Sequence, residues 1–519
     1  MLSSFRHDKY FTLPAIGVAA SIGSVVYISY RYIYRSFFVS HLPPKASRWG
    51  FEYMILHLNG KHISEFYEEF KAREIKLFYY FMPVIFNPIF VCGDIALAKL
   101  LLEGDTNTGT LAAPKSSGYK TFNIITGGVE SLLTKAIDDK SWICARKGVT
   151  PSFSTQNLTK SVSTKSECIT TLLECLHEAA KINKDIDISE IMTYFTLDFL
   201  TSNMFDVSYN TLNTNYITSP PSSSSSSSPL TTGQQFLKEI KVALKELSKR
   251  FINPFRTYLY WQKDVIKGKD ATVFIKQFAM NVLETYRQKM STEDIQKDPS
   301  IMGHLMRTEY ASDNELCADI IIFLFAGHDT TGYTLAWVIL EICRHPYVLK
   351  TIQNELDRLY PNPSTPIEHR DLYKLEYLLC VIRETMRLRP VVPSASFRMA
   401  AKDMNHNGYI IPKNSRIHIS SYAIQRLYVE DGDVFKPERW MKGSSQYQLL
   451  HDTNLSFSLG KRSCVGQNMA MLELKLVLAT VFRLFEFERS DPTAPMSFTV
   501  FATAKPDYPF VRVKKRSFI

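Results

Sequence analysis

The chain has 519 residues, of which 45% are hydrophobic and 22% are charged, and its 61 Lys and Arg against 51 Asp and Glu give a formal net charge of +10. This balance excludes a wholly disordered or fibrous protein. A mean hydropathy of −0.11 excludes a polytopic membrane protein, because several apolar spans would make the mean positive. The positive charge fits an anionic membrane surface or an acidic protein partner; without a long basic run, nucleic acid is not favoured.

The first element predicted along the chain is a membrane-spanning helix over residues 11–30, FTLPAIGVAASIGSVVYISY, which contains no charged residue. Twenty residues at about 1.5 Å each cover the roughly 30 Å hydrocarbon core of a bilayer. Residues 1–10 form a tail before this anchor, and residues 31–48, which include tandem prolines, predict a stiff hinge after it. Basic residues are more numerous on the C-terminal side of the span. We therefore expect a single-pass protein of the endoplasmic reticulum with its body in the cytosol.

Residues 49–519 are predicted to form one large domain of the α+β class, mainly helical with small β-sheets. Apolar residues at helical spacing indicate a series of helices, the longest of which covers Asp313–Arg344. The other predicted helices cover residues 95–103, 128–140, 166–182, 188–203, 234–250, 272–289, 347–360, 373–388 and 467–485. Strand-like segments at 416–421 and 496–512 indicate the small sheets.

Two further segments are interpreted from their composition. The uncharged run over residues 77–93 is interrupted by prolines, so it predicts paired buried strands rather than a second membrane span. Residues 219–229, SPPSSSSSSSP, predict a flexible surface insert, because a polar low-complexity segment buries no core.

The eight cysteines are scattered without C-x-x-C pairs, which argues against a zinc site and a disulfide framework. Cys464 differs from the others because it lies in the run FSLGKRSCVG, between Gly460 and Gly466. These glycines permit tight turns and the close approach of a flat cofactor. The cation of Arg462 and the N-terminal end of the helix that follows favour a thiolate. The pattern therefore indicates a metal or haem-iron ligand.

With this motif the chain resembles the cytochrome P450 family of haem-thiolate monooxygenases, from about residue 49 onward. The resemblance implies haem b as the cofactor, with Cys464 as the axial ligand of its iron. In the family, electron donation by the thiolate favours O–O cleavage. The resemblance also implies that Phe457 packs beside the sulfur.

The long predicted helix carries a second motif, AGHDTT, over residues 326–331. The small residues Ala326 and Gly327 leave room for a ligand against the helix. Thr330 is placed to bond the carbonyl of Ala326 four residues earlier, which would bend the helix. By resemblance, Asp329 and Thr330 form an acid–alcohol pair that delivers protons for the oxygen chemistry.

A third motif, Glu384-x-x-Arg387, is weak alone, because this spacing arises by chance in a chain of this length. By resemblance it forms a buried ionic network with Arg439, which supports the cysteine loop. Two residues depart from the common family pattern: Gln425 stands where relatives often have His, and Trp440 where many have Phe.

The carboxylates of haem require cations. Trp142 and Arg146 are one helical turn apart and match a W-x-x-x-R motif by which the family binds these carboxylates. By resemblance, Arg398 and Arg462 complete the set.

The function implied is insertion of one oxygen atom from O2 into a lipophilic substrate: a fatty acid, sterol, isoprenoid or xenobiotic. The chain carries no dinucleotide-binding fingerprint, so electrons are expected from a separate NADPH-cytochrome reductase-type flavoprotein, docked near Lys147 and Lys461. Membrane lipids are the other expected partner. Segments 107–125, 391–396 and 501–503 and the long helix around Phe325 are expected around the substrate. A set of aromatic residues is expected either to form an apolar entrance that dips into the membrane or simply to pack: Phe251, Phe255, Tyr258, Tyr260 and Trp261.

Two alternatives stay open. The first is an enzyme of the same fold that rearranges lipid hydroperoxides without O2, against which the intact Asp329–Thr330 pair argues. The second is a non-enzymatic haem-binding membrane protein.

Overall fold

The computed structural model describes residues 42–517, apart from 49, 83–84, 106–109, 163–166, 219–229 and 363–364. The predicted tail, anchor and Ser/Pro-rich insert lie outside the described residues, as does the hinge up to residue 41. Among the residues described, no helix combines the length and apolarity needed to cross a bilayer.

Helices dominate the described part of the chain, as predicted. In chain order they are α1 (Gly50–Leu58), α2 (His62–Arg73), α3 (Ile95–Glu103), α4 (Lys140–Val149), α5 (Thr155–Val162), α6 (Glu167–Lys181), α7 (Ile188–Phe205), α8 (Asn215–Thr218), α9 (Thr232–Ile252), α10 (Lys263–Lys289), α11 (Thr292–Lys297), α12 (Ile301–Arg307), α13 (Asp313–Arg344), α14 (Pro346–Leu359), α15 (Glu376–Leu388), α16 (Ser421–Leu427), α17 (Tyr447–Thr453) and α18 (Gln467–Leu484).

The strands form small sheets beside these helices. They are β1 (Leu77–Met82), β2 (Ile85–Cys92), β3 (Gly104–Asp105), β4 (Thr110–Leu111), β5 (Asp185–Asp187), β6 (Ser394–Met399), β7 (Met404–His406), β8 (Tyr409–Ile411), β9 (Arg416–Ser420), β10 (Phe485–Arg489), β11 (Phe498–Val500), β12 (Ala504–Pro506) and β13 (Phe510–Lys515). The largest sheet has the order β1-β2-β9-β6, and β10-β13-β5 form another. The predicted class, mainly α with small sheets, is therefore confirmed.

Most of the predicted elements are present. Helix α13 has the bounds expected from the sequence, and the strands predicted within residues 77–93 pair antiparallel as β1 and β2, with Phe78 opposite Val91. The helix predicted over 128–140 is wrong. Gly127 and Gly128 have positive φ, and helix α4 begins only at Lys140, where the Asp139 side chain accepts a hydrogen bond from Ser141 N–H. The turn chemistry of two adjacent glycines outweighs the apolar spacing there.

Helix α13 is buried over most of its 32 residues and packs along α7. Glycine permits this close approach: a Cβ at Gly332 would lie 2.8 Å from Thr193 Cγ2, and one at Gly327 would lie 2.6 Å from Leu200 Cδ1. The middle of α13 is thus held at one distance from its neighbour.

Three buried histidines lie between α1, α2 and the four-stranded sheet. The rings of His57 and His62 stack with centroids 3.7 Å apart, and His57 Nε2 lies 2.9 Å from the Tyr80 hydroxyl. His418 Nε2 lies 2.7 Å from Ser394 Oγ. Burial lowers the pKa of His57 and of His418 from 6.5 to about 3. The folded protein therefore keeps these rings neutral well below the pH at which they are protonated in an unfolded chain.

We expect the free energy of unfolding to fall as the pH is lowered from 6.5 towards 3. The unfolded chain binds protons that the folded chain does not, at about 1.4 kcal/mol per pH unit for each buried histidine. Denaturant unfolding of wild type and His57→Gln, followed by circular dichroism, checks this expectation. In the variant, the slope of the free energy of unfolding against pH should be smaller than in wild type by the amount that corresponds to about one proton. His177→Gln, at an exposed histidine, should keep the wild-type slope, and an unchanged slope in His57→Gln would contradict the expectation.

Candidate functional site

A cavity lies between the middle of α13, the loop that contains Cys464, and the start of α18. The cavity has a volume of about 210 Å³. Residues from three of the predicted motif regions line it together: Trp142, Arg146, Ala326, Gly327, Thr330, Phe457, Arg462 and Cys464. All eight cysteines lie in the described part of the chain, and of these only Cys464 lines the cavity.

The cysteine loop is closed by its own backbone. Cys464 N–H donates to the carbonyl of Phe457 at 2.9 Å. Gly460 has φ +72, and a Cβ there would lie 2.5 Å from the carbonyl oxygen of Leu102, so only glycine lets the loop seat against α3. This geometry presents the exposed surface of Cys464 to the cavity.

The electrostatics of Cys464 differ from the sequence expectation. Burial raises the pKa of the Cys464 thiol, and the Gly466 backbone N–H and the Arg146 guanidinium only partly oppose this effect. The cation that acts on the sulfur is thus Arg146, whose Nη2 donates to Ser463 O at 2.9 Å, rather than Arg462. Protein groups alone leave the thiol protonated, whereas a coordinated metal ion deprotonates such a thiol outright.

Four positively charged side chains form a cation cluster beside the cavity: Lys115, Arg146, Arg398 and Arg462. Within the described residues none of them pairs with a carboxylate at salt-bridge distance, and each donates to a carbonyl oxygen. The Nε atoms of Arg398 and Arg462 are buried without a hydrogen-bond partner. Burial and the neighbouring guanidinium groups lower the pKa of Arg462 to about 10 and that of Lys115 well below its usual value. Such uncompensated charge suits an anionic ligand.

Two details of this cluster were not predictable from spacing. Lys115 was missed, because it lies in an irregular segment and reaches the cluster through a bridge between its backbone and that of Arg398. Trp142, which lines the cavity as predicted, also donates from Nε1 to the carbonyl of Leu132 at 3.1 Å, and Arg462 Cζ lies 4.0 Å above its ring.

The other wall of the cavity is the 326–331 segment of α13. Thr330 Oγ1 donates to the carbonyl of Ala326 at 2.7 Å, the bond expected from the sequence. Asp329 does not line the cavity. It is buried on the other side of α13, where Oδ2 accepts from Thr503 Oγ1 at 3.3 Å and Oδ1 lies 3.1 Å from His328 Nε2.

The protonation of this pair follows from its neighbours. Burial raises the pKa of Asp329, but His328, Lys241 and Thr503 outweigh it, so the pKa lies below its usual value. His328 Nδ1 lies 2.7 Å from the carbonyl oxygen of Leu324. Because a carbonyl oxygen only accepts hydrogen bonds, the Nδ1 atom is the donor and carries a hydrogen. Asp329 is therefore an ionised carboxylate one residue from Thr330.

Comparisons with known proteins agree with this arrangement. The sequence profile of the cytochrome P450 family matches residues 43–510. The chain belongs to the cytochrome P450 family. It is 28% identical over 358 residues to cytochrome P450 3A14 of Cavia porcellus, covering 67% of this chain and 68% of that one. It is 28% identical over 395 residues to cytochrome P450 3A5 of Homo sapiens, covering 74% and 75%.

The fold is also that of a solved P450. A crystal structure of a cytochrome P450 (CYP102L1) superposes with a TM-score of 0.70 at 20% identity, covering 88% of this chain and 94% of that one. Members of the family are monooxygenases that bind haem through a cysteine thiolate and use O2 and reducing equivalents. The donor set of this P450 fits haem: a thiol and the small residues Ala326 and Gly327 line the cavity, and the cation cluster beside it has no carboxylate partner among the residues described.

Behind the cysteine loop, Glu384 lies at the centre of a buried network. Arg387 donates to both carboxylate oxygens of Glu384 at 2.8 Å, and Arg439 Nε lies 3.2 Å from Oε1. Both departures from the common P450 pattern take part. Trp440 Nε1 donates to Glu384 Oε2 at 2.9 Å, and Gln425 accepts from Leu455 N–H at 2.9 Å, just before the loop.

We expect Trp440→Phe to destabilise the haem-bound protein by about 1.5–3 kcal/mol, because it removes a hydrogen bond to a buried charged group and keeps the ring. The measurement is the thermal unfolding midpoint of each holoprotein. Trp261→Phe, at a Trp that is 62% exposed, is the matched control and should leave the midpoint unchanged. Equal midpoints for the two variants would show that the indole N–H contributes nothing.

Proposed function

We propose that this P450 inserts one oxygen atom from O2 into a lipophilic substrate at a membrane, with electrons from an NADPH-cytochrome reductase-type flavoprotein. One observation carries the proposal. Of eight cysteines, only Cys464 lines the cavity, opposite the Ala326–Thr330 turn of α13 and beside four unpaired cations.

In this proposal the Cys464 sulfur would hold the iron of haem, with Phe457 beside it. Arg146, Arg398 and Arg462, joined by Lys115, hold the haem carboxylates. Bound haem would supply the redox chemistry that activates O2. The 49–519 domain is thus the catalytic domain, with residues 11–30 as its anchor.

The residues of α13 would manage protons. Thr330 Oγ1 lines the cavity, and its bond to the carbonyl of Ala326 orients the hydroxyl and weakens the helix ladder locally. Asp329, ionised and buried, would bind a proton taken up from solvent and then pass it to the Thr330 region. Thr503 and His328 hold its carboxylate in place.

Aromatic contacts support a lipophilic substrate. The Phe122 ring lies 6.4 Å from that of Phe325, whose helix also forms the cavity wall. Ala504 N–H donates to the carbonyl of Val391 at 2.8 Å, which brings the 391–396 and 501–503 segments together beside α13. The predicted substrate segments thus converge on one side of the site.

Exposed aromatic side chains support attachment to a membrane surface. In the segment after α9, Phe255, Tyr258, Tyr260 and Trp261 are each more than 60% exposed. Clustered aromatics of this kind suit the interface of a bilayer. With residues 11–30 as the proposed anchor, they support a catalytic domain at the cytosolic face of the endoplasmic reticulum.

The surface near the cysteine loop suits a redox partner. Lys147 on α4 and Lys461 in the cysteine loop are both exposed, and the bond from Arg146 to Ser463 joins their two segments. An acidic flavoprotein docked there would approach the cysteine side of the site.

The absorption spectrum of the reduced, CO-bound protein tests the function. Wild type should show the Soret band typical of a thiolate ligand, and Cys464→Ala should lose it. Asp329→Asn should keep the band, while reductase-supported turnover falls about 100-fold, because only proton delivery is affected. A wild type without the band would refute the proposal. Turnover of a lipid hydroperoxide without NADPH would favour the rearranging enzyme, and haem binding without reductase-dependent O2 consumption would favour a non-enzymatic role.

Tryptophan fluorescence of the full-length protein in vesicles tests the membrane surface. Brominated lipids should quench Trp261, because its ring is expected at the bilayer interface. Trp261→Phe should remove most of the quenching, whereas Trp440→Phe, at a buried Trp, should retain it. Equal quenching in wild type and Trp261→Phe would place this segment away from lipid.

A further inference from the structure

A buried carboxylate on α13 that no motif includes, Asp319, is bonded to the part of the chain that supports the cation cluster. We propose that Asp319 is a positioning residue that fixes the 131–135 turn, and through it Trp142 and Arg462, at the edge of the haem. The proposal rests on the proposed function, because it assumes that haem carboxylates occupy the cation cluster.

Asp319 attaches the 131–135 turn to α13. Leu132 N–H donates to Asp319 Oδ1 at 2.6 Å, and the hydroxyl of Tyr310 donates to Asp319 Oδ2 at 2.8 Å. Asp319 is only 2% exposed. Both of its oxygens are therefore used, one of them on a backbone group of the turn.

The backbone carbonyls of the same turn bond side chains of the site. The carbonyl of Leu132 accepts from Trp142 Nε1 at 3.1 Å and from Arg462 Nη1 at 3.0 Å. The carbonyl of Lys135 accepts from Arg462 Nη2, and that of Leu133 accepts from Lys115 Nζ at 2.5 Å. Carbonyls of one short turn thus hold three residues of the site, two of them from the cation cluster.

Leu132 is the residue that joins the two sides. Its N–H bonds to a carboxylate and its C=O bonds to two cofactor-facing side chains. Because a hydrogen bond to a charged group is stronger than one to a neutral group, the ionised carboxylate fixes the turn more firmly than a neutral side chain would. Partners behind a ligand commonly affect affinity 10- to 100-fold.

The protonation of Asp319 adds a pH dependence. Burial raises its pKa to about 6, against the opposing effects of Leu132 N–H, Tyr310 and Lys135, and Glu315 raises it further. Below pH 6 the carboxyl group is protonated, so the charged acceptor for Leu132 N–H is lost. The support of the cation cluster should therefore weaken as the pH falls through this value.

The test compares full-length wild type with Asp319→Leu, which removes both acceptor oxygens and keeps the branch at Cγ, and Asp319→Asn, which removes the charge and one of the two acceptor oxygens. Two quantities are measured: haem loss to an acceptor apoprotein, and amide hydrogen exchange of residues 131–135 with and without haem. We expect Asp319→Leu to lose haem 10- to 100-fold faster and to exchange faster in both forms. Asp319→Asn should be intermediate, and its haem loss should no longer accelerate as the pH falls through 6.

The matched control is Glu315→Gln. Glu315 lies on the same helix and contacts the same turn, but only through the Lys135 side chain, at 3.4 Å. It should retain wild-type haem loss and exchange. Tyr310→Phe removes the hydrogen bond to one oxygen of Asp319, so haem loss and amide exchange at residues 131–135 should both become faster than in wild type. This variant replaces Asp319→Leu in the test if Asp319→Leu fails to fold.

The proposal is overturned if the Asp319 variants lose haem at the wild-type rate, or if Glu315→Gln matches them. A wild type that binds no haem would instead refute the proposed function. Faster exchange at 131–135 without faster haem loss would make Asp319 a support of the fold alone, and would also overturn the proposal.

Discussion

Four cations, one buried and three half-buried, are held by carbonyl oxygens and have no carboxylate partner among the residues described; they define the site of this P450. Placing a charge in the interior costs several kcal/mol unless an opposite charge compensates it. Lys115 and Arg398 come from segments far apart in the sequence, and Arg462 from a third. Their convergence is favourable once an anion with two carboxylates is bound, so cofactor binding and the stability of this region are coupled.

The position of helix α13 is the second constraint on the site, because residues on different parts of this helix make different contacts. Ala326 and Thr330 face the cavity, whereas Asp329 and His328 form a buried pair on the other side. Nearer its N-terminus, Asp319 holds the 131–135 turn. Close packing of α7 against Gly327 and Gly332 keeps the helix in place, so all three arrangements share one rigid frame.

The sequence was most informative where chemistry is local. The bond from Thr330 to Ala326 and the bounds of α13 follow from spacing along one helix, and both are present. The helix expected over 128–140 is absent, because apolar spacing cannot reveal that two glycines there adopt positive φ. The carbonyl of Leu132 as a partner of the Trp142 indole was also not predictable, because it belongs to a turn that no periodic pattern marks.

By itself, then, the sequence determined the family to which the chain belongs and the motif side chains that line the cavity, since short motifs with fixed spacing carry both. Only the tertiary structure decided what those side chains bond. Arg146 donates to Ser463 beside Cys464, Trp440 donates to Glu384, and Lys115 and Asp319, outside every motif, both bond the 131–135 turn. The physical reason is that hydrogen bonding and burial depend on which distant backbone groups the packing brings within 3 Å, and no local pattern records that distance.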